Sequence, residues 1–137
     1  SLLNRLFEPE LCEVAVAEDC GLLAWSPLTR GMLSGKYLDG KRPEGARLTI
    51  TPGTERRDTP QCNDAIKAYM AIAEKHGLDM CQMALAFVNM QPFVTANIIG
   101  ATTMEQLKAN IDSINVKLSA DVLSDIEAVR REYPIPY

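Results

Sequence analysis

Leu22-Leu23-Ala24-Trp25-Ser26-Pro27-Leu28-Thr29-Arg30-Gly31 is the stretch from which the rest of the chain is read. Its apolar opening, closed by Trp25, is long enough for a buried strand. Pro27 has no N–H and fixes its own φ, so the strand ends before it. The loop that follows carries Gly31, Gly35 and the cation Lys36. An abrupt strand end, then glycine and basic residues, suits a backbone that meets a phosphate-bearing ligand.

Working outward, Pro9 and the acids after it suit the first turn of a helix over Glu10–Cys20. Leu11, Val14, Ala15 and Glu18 would share a face, with Gly21 as the stop. Residues 36–57 are polar, rich in Gly, Pro and Arg, and aperiodic, which predicts a long loop of the kind that serves as a lid or stays disordered. Thr59-Pro60 reads as an N-cap and first-turn proline. The helix they open runs to His76 with Cys62, Ala65, Ile66, Tyr69, Met70 and Ala73 on one stripe. Asp79 and Gln82 form a capping-box pattern for a helix over Met80–Met90, with Cys81, Ala84, Leu85 and Val88 inward. Pro92 breaks that helix, and Thr95–Ile99 reads as a second strand. A short helix follows over Met104–Asp112, and a last one after Ser119 uses Val122, Leu123, Ile126 and Val129. Two strands joined by helices predict a parallel βαβ crossover. A lone parallel pair needs something to cover or extend it.

With 137 residues the chain suggests one domain. A net charge of −4 and a pI near 5.0 lack the basic footprint of a nucleic-acid binder. No apolar run reaches the roughly 18 residues of a membrane span, and Asn4, Arg5 and Glu8 interrupt anything like a leader. Cys12, Cys20, Cys62 and Cys81 form neither a CxxC pair nor a metal cluster. They fit small apolar residues of a reducing compartment, so a cytoplasmic location is expected. The single histidine, His76, argues against a His-based metal site or a Ser–His pair.

Ile98-Ile99-Gly100-Ala101-Thr102-Thr103-Met104-Glu105-Gln106-Leu107-Lys108-Ala109-Asn110 is the second informative stretch. A strand ends in glycine, hydroxyl residues follow, and a helix begins with Thr103 and Gln106 as a capping box. Free N–H groups and the positive helix end would face an anion. Gln106 and Asn110, four apart, share a helical face and could read the edge of a base.

Ser1-Leu2-Leu3-Asn4-Arg5, Trp25-Ser26-Pro27-Leu28 with Gly31, Gly35-Lys36-Tyr37, and Gly100-Ala101-Thr102 through Gln106 and Asn110 together resemble the C-terminal half of the aldo-keto reductases. The likeness is to the Tas-like and potassium-channel β-subunit-like branch, and it covers essentially the whole chain. It implies a helix-rich α/β fold, the last two strands and their helices of a (β/α)8 TIM barrel, as one partial-barrel domain over residues 1–137. It also implies NADP(H) bound without a Rossmann fingerprint, and no such fingerprint occurs here. By that resemblance Trp25 would stack on the nicotinamide, and Ser26, Pro27, Leu28 and Arg30 would form the loop lining the pyrophosphate, mostly through backbone N–H groups. Lys36 and Arg47 would hold the 2′-phosphate under the long loop. Gly100 and Thr102 would approach the adenosine phosphate, and Gln106 and Asn110 the adenosine. Many members carry Arg or Lys near Thr102; this chain does not, which places that work on Lys36 and Arg47.

The family's catalytic Asp, Tyr, Lys and His belong to its N-terminal half, and none can be placed here. His76 falls on a helix, and Tyr37 follows the wrong strand. The expectation is a cofactor-binding half that reduces aldehydes or ketones only when an N-terminal half is supplied. The alternative is an inactive remnant serving as an oligomeric or cofactor-binding module. Two barrel strands with bare edges predict self-association or a missing half, with no nucleic-acid or membrane partner.

Overall fold

A computed structural model describes all of residues 1–137. The elements are α1 (Leu11–Ala17), β1 (Leu22–Trp25), α2 (Arg47–Ile50), α3 (Pro60–Lys75), α4 (Met80–Asn89), β2 (Val94–Ile98), α5 (Met104–Asp112) and α6 (Ala120–Glu132). Short 3₁₀ turns occupy Thr29–Ser34, Leu38–Gly40 and Ser113–Asn115. β1 and β2 pair in parallel, with Leu23 opposite Ala96, Ala24 opposite Asn97 and Trp25 opposite Ile98. The chain is thus helix-rich α/β with a two-stranded parallel sheet, as the order of its residues predicts.

α4 is the centre of the core. Met80 and every residue from Met83 to Val88 are buried, because α3, β2, α5 and the Thr29–Ser34 turn all pack on it. A helix that is apolar on all sides belongs inside. α3 buries Cys62, Ala65, Ile66, Tyr69, Ile72 and Ala73, and α6 adds Val122 and Ile126. Met70 is only half-buried and lies over Gly35, where a Cβ would come within 2.6 Å of its sulfur. The predicted N-caps form: Thr59, Asp79, Thr103 and Ser119 accept the backbone N–H groups of Cys62, Gln82, Gln106 and Val122 at 3.1, 2.8, 3.2 and 3.3 Å. Each satisfies a donor that the helix leaves free.

Several expectations need correcting. α1 ends at Ala17, three residues before Cys20, and the chain turns at Asp19 with φ 50°. Gly21 is needed for closeness instead: a Cβ there would lie 1.8 Å from Thr95 Oγ1. Only Ala15 of α1 is buried, while Leu11 and Val14 stay exposed, because nothing covers that face. Cys81 is half-buried rather than fully inward. β2 starts and stops one residue early, at Val94 and Ile98. The stretch over 36–57 is not wholly irregular, since it holds α2 and a 3₁₀ turn. α2 is anchored from a distance, with the Leu48 N–H donating to the buried Tyr37 hydroxyl at 3.3 Å.

One face of the sheet is bare. Leu23, Trp25 and Ile98 are 58%, 74% and 51% exposed, and each strand has an unpaired edge. No helix is long and apolar enough to cross a membrane.

Candidate functional site

The site is built from the loops that leave β1 and β2. Because the strands are parallel and Trp25 stands opposite Ile98, the chain leaves both at the same end of the sheet. Trp25, Ser26, Pro27, Leu28, Arg30 and Lys36 follow one strand; Gly100, Thr102, Gln106 and Asn110 follow the other.

The loop after β1 is conformationally unusual. Ser26, Thr29 and Arg30 have φ of 54°, 48° and 55°, in the left-handed region where a side chain costs about 1–2 kcal/mol. Gly31 and Gly35 occupy the same region at 89° and 75° without that cost. Internal bonds hold the turn: Thr29 N–H to Ser26 O at 2.8 Å, and Gly31 and Leu33 N–H to Leu28 O at 2.9 and 3.2 Å. Pro27 and Thr29 are buried beneath it. Trp25 stands outside, its ring on the bare sheet face.

The cations are placed unequally. Lys36 lies against Gly31, where a Cβ would come within 3.3 Å of its Nζ, and its ammonium sits 5.3 Å from the Tyr37 ring centre. Arg42 lies 5.8 Å from the same ring and pairs with Asp58. Arg47 is exposed at the head of α2, one residue from the Leu48 N–H that binds Tyr37. Arg30 reaches across to the far end of the long loop, donating to Thr54 O at 2.7 Å and Thr54 Oγ1 at 3.0 Å. Its Nε is buried and has no partner. Glu55 beside it is nearly buried and accepts from Arg57 Nε at 2.6 Å and Nη2 at 2.9 Å. Burial alone would raise the Glu55 carboxyl, but its hydrogen bonds and charge pairing with Arg57 hold it below the usual carboxylate range.

The loop after β2 is braced from within. Thr102 donates its N–H and Oγ1–H to Gln106 Oε1 at 3.0 and 3.1 Å. Asn110 is buried and donates Nδ2–H to the Gly100 carbonyl at 3.2 Å. Gly100 itself has an ordinary φ, and a Cβ there would meet nothing within 4 Å. Neither strain nor crowding within the chain calls for glycine at this position, so the open space beside it suits an approaching ligand.

Between β1, the N-terminal segment and the junction of α4 with β2 lies a cleft of about 230 Å³, lined by Asn4, Arg5, Trp25, Ser26, Arg57 and Phe87 among others; the loop after β2 does not line it. That is below the roughly 300 Å³ at which small-molecule pockets begin, so this chain's own walls do not enclose a dinucleotide. The residues nonetheless fit one in three respects: an unpartnered buried guanidinium nitrogen at Arg30, free space at Gly100, and an exposed indole at Trp25. No cluster of His, Cys, Asp or Glu could hold a metal ion. Burial pushes the Cys62 and Cys81 thiols up to about 11, which leaves neither as a ready nucleophile. The Tyr37 hydroxyl is engaged on α2. Sequence reasoning missed Thr54, whose bonds to Arg30 span 24 residues, and Glu55, whose carboxylate lies 3.9 Å from the Arg30 guanidinium; neither contact leaves a periodic signal.

The sequence profile described as the Aldo/keto reductase family matches residues 1–131. Over 136 residues the chain is 53% identical to the protein tas of Escherichia coli K12, covering 99% of this chain and 39% of that protein. It is 34% identical to a putative voltage-gated potassium channel subunit beta of Schizosaccharomyces pombe, over 94% of this chain and 39% of that protein. It is 31% identical to an L-glyceraldehyde 3-phosphate reductase of Escherichia coli O157:H7, over 93% of this chain and 38% of that protein. The chain therefore spans about two fifths of the length of these relatives.

Proposed function

Because this chain belongs to the aldo/keto reductase family and matches its Tas-like branch, we propose that it is the NADP(H)-holding part of an oxidoreductase. β1 and β2 are then the last two strands of a (β/α)8 barrel, whose ligands gather at the carboxyl ends of the strands. One observation carries this reading: the parallel pairing that brings the Ser26 and Gly100 loops to one end of the sheet.

The roles follow from the chemistry of each residue. Trp25 offers an exposed flat ring for the nicotinamide. Ser26, Pro27, Leu28 and Arg30 form the tight turn whose backbone lines the pyrophosphate, with the Arg30 guanidinium, held on Thr54, adding positive charge beside it. Lys36 and Arg47 supply the charge that favours NADP over NAD. Gly100 and Thr102 allow close approach of the adenosine phosphate, and Gln106 and Asn110, whose amides brace that loop, stand on its adenosine side. When bound, the nicotinamide supplies a hydride to the carbonyl carbon of an aldehyde or ketone. The contribution of this chain is orientation, which is worth a large factor in rate. The proton donor and its partners come from the other part of the barrel. The relative named as a reductase of L-glyceraldehyde 3-phosphate supports a small carbonyl compound as the substrate class.

Trp25 is the only tryptophan, so its fluorescence reports the site directly. Titration with NADPH is expected to quench it, and Trp25→Leu to remove the response. An unchanged signal up to millimolar NADPH would overturn the proposal. Reduction of a test aldehyde is expected only after the N-terminal half of a relative is added, and turnover by the chain alone would show that a proton donor had been overlooked.

A further inference from the structure

A polar chain joins β2 to the loop that follows it by way of two helices. Asn97 on β2 donates Nδ2–H to Asn89 Oδ1 on α4 at 3.0 Å. Asn89 donates its own Nδ2–H to Ser113 Oγ at 3.3 Å. Ser113, only 2% exposed, donates Oγ–H to the Asn110 carbonyl at 2.6 Å. Asn110 then donates its side-chain N–H to the Gly100 carbonyl. The first three donors point the same way, so each bond polarises the next as far as the Asn110 carbonyl, and Asn110 itself carries the link on through its side chain to Gly100.

Asn97 stands where a strand ordinarily places a β-branched residue. Its Oδ1 is buried without a partner, an arrangement that weakens the fold. Apolar residues of similar size at 89 and 97 would fill the same space without that penalty. What the amides add is direction, and the direction ends at Gly100.

We propose that Asn97, Asn89 and Ser113 are positioning residues that hold Asn110, and through it fix how the Gly100–Thr103 loop presents its backbone to the dinucleotide. This rests on that loop being a cofactor contact. The relay and the contact are separable by experiment, because one is measured without NADP(H).

Asn89→Leu, Ser113→Ala and the double variant of the 137-residue chain are compared by amide hydrogen exchange in the absence of cofactor. Exchange over residues 100–107 rises about fivefold in each single variant and no further in the double, since one cut already severs the chain. α3 keeps its protection, and Ser113→Thr, which restores a hydroxyl, restores the loop. Unchanged exchange over 100–107, additive effects in the double variant, or an equal loss of protection in α3 would each overturn the relay. NADPH titration of the same set is expected to show about fivefold weaker binding in the single variants. If the unaltered chain binds no NADPH while the exchange pattern holds, the cofactor reading of the loop falls and the positioning of the loop stands.

Discussion

At the scale of the residue, the most informative side chain is one that is missing. Gly100 has room for a Cβ and no strain to relieve, so Gly100→Ala is expected to change stability by less than about 0.5 kcal/mol. The same change should weaken NADPH binding at least about tenfold, because the methyl fills the ligand's approach. Thermal melting and Trp25 fluorescence on one sample separate the two effects. Glu127 carries a pH dependence of known sign. Its hydrogen bond with Arg130 outweighs the opposing cost of burial and, with the charges of Arg130 and Arg5 added, holds its carboxyl at about 2. The folded value lies below the ordinary 4.5, so this stabilisation is present above that pH and is lost as pH falls from there toward 2. Urea midpoints measured from pH 6 to pH 2.5 should fall less steeply for Glu127→Gln than for the unaltered chain. Trp25, Gly31 and Gly100 were legible from type and order alone. The partners of Arg30 were not, because a guanidinium reaches whatever the fold brings near it.

Among the elements, helix starts were the most readable feature. A hydroxyl or carboxylate before an apolar run caps its own helix within three residues, and Thr59, Asp79, Thr103 and Ser119 all do so. Thr59 does more than cap, since its hydroxyl also donates to the Pro136 carbonyl at 3.0 Å and ties the last residues to the head of α3. Thr59→Ala should therefore cost about 1–2 kcal/mol in chemical denaturation, the upper range for a cap. The close crossing of the chain before β1 over the start of β2 is a second test. Gly21→Ala drives a methyl into Thr95 and should destabilise by about 1–3 kcal/mol, with Gly21→Ala plus Thr95→Ser no milder, because the oxygen that clashes remains. Sequence periodicity placed Gly21 as a helix stop; only the neighbouring strand revealed its use. α2 escaped notice for a related reason, since four residues carry no period and Tyr37 holds them from another part of the chain.

For the molecule as a whole, the decisive feature is an apolar surface without a cover. Leu23, Trp25 and Ile98 form one side of a sheet with two open edges, and edges of this kind recruit other strands. The chain is expected to elute in size-exclusion chromatography above its 15.1 kDa mass, and Leu23→Lys with Ile98→Lys to return it to a monomer. A monomeric unaltered chain at micromolar concentration would overturn this. Addition of the N-terminal half of a relative should compete with self-association if both use the bare face.

The amino-acid sequence by itself determined the order of every strand and helix but α2, the four capped helices, the strand that stops at Ser26-Pro27 and the likeness to a reductase family. These are local matters: φ limits at proline, side-chain capping and apolar spacing act within a few residues. Only the tertiary structure decided the register in which β1 and β2 pair, with Trp25 opposite Ile98, that Arg30 turns to Thr54, and that Asn97 is linked through Asn89 and Ser113 to Asn110 and so to Gly100. Those contacts join residues brought near one another by the burial of α4, and burial rewards apolar area without specifying which polar groups will meet at its margins.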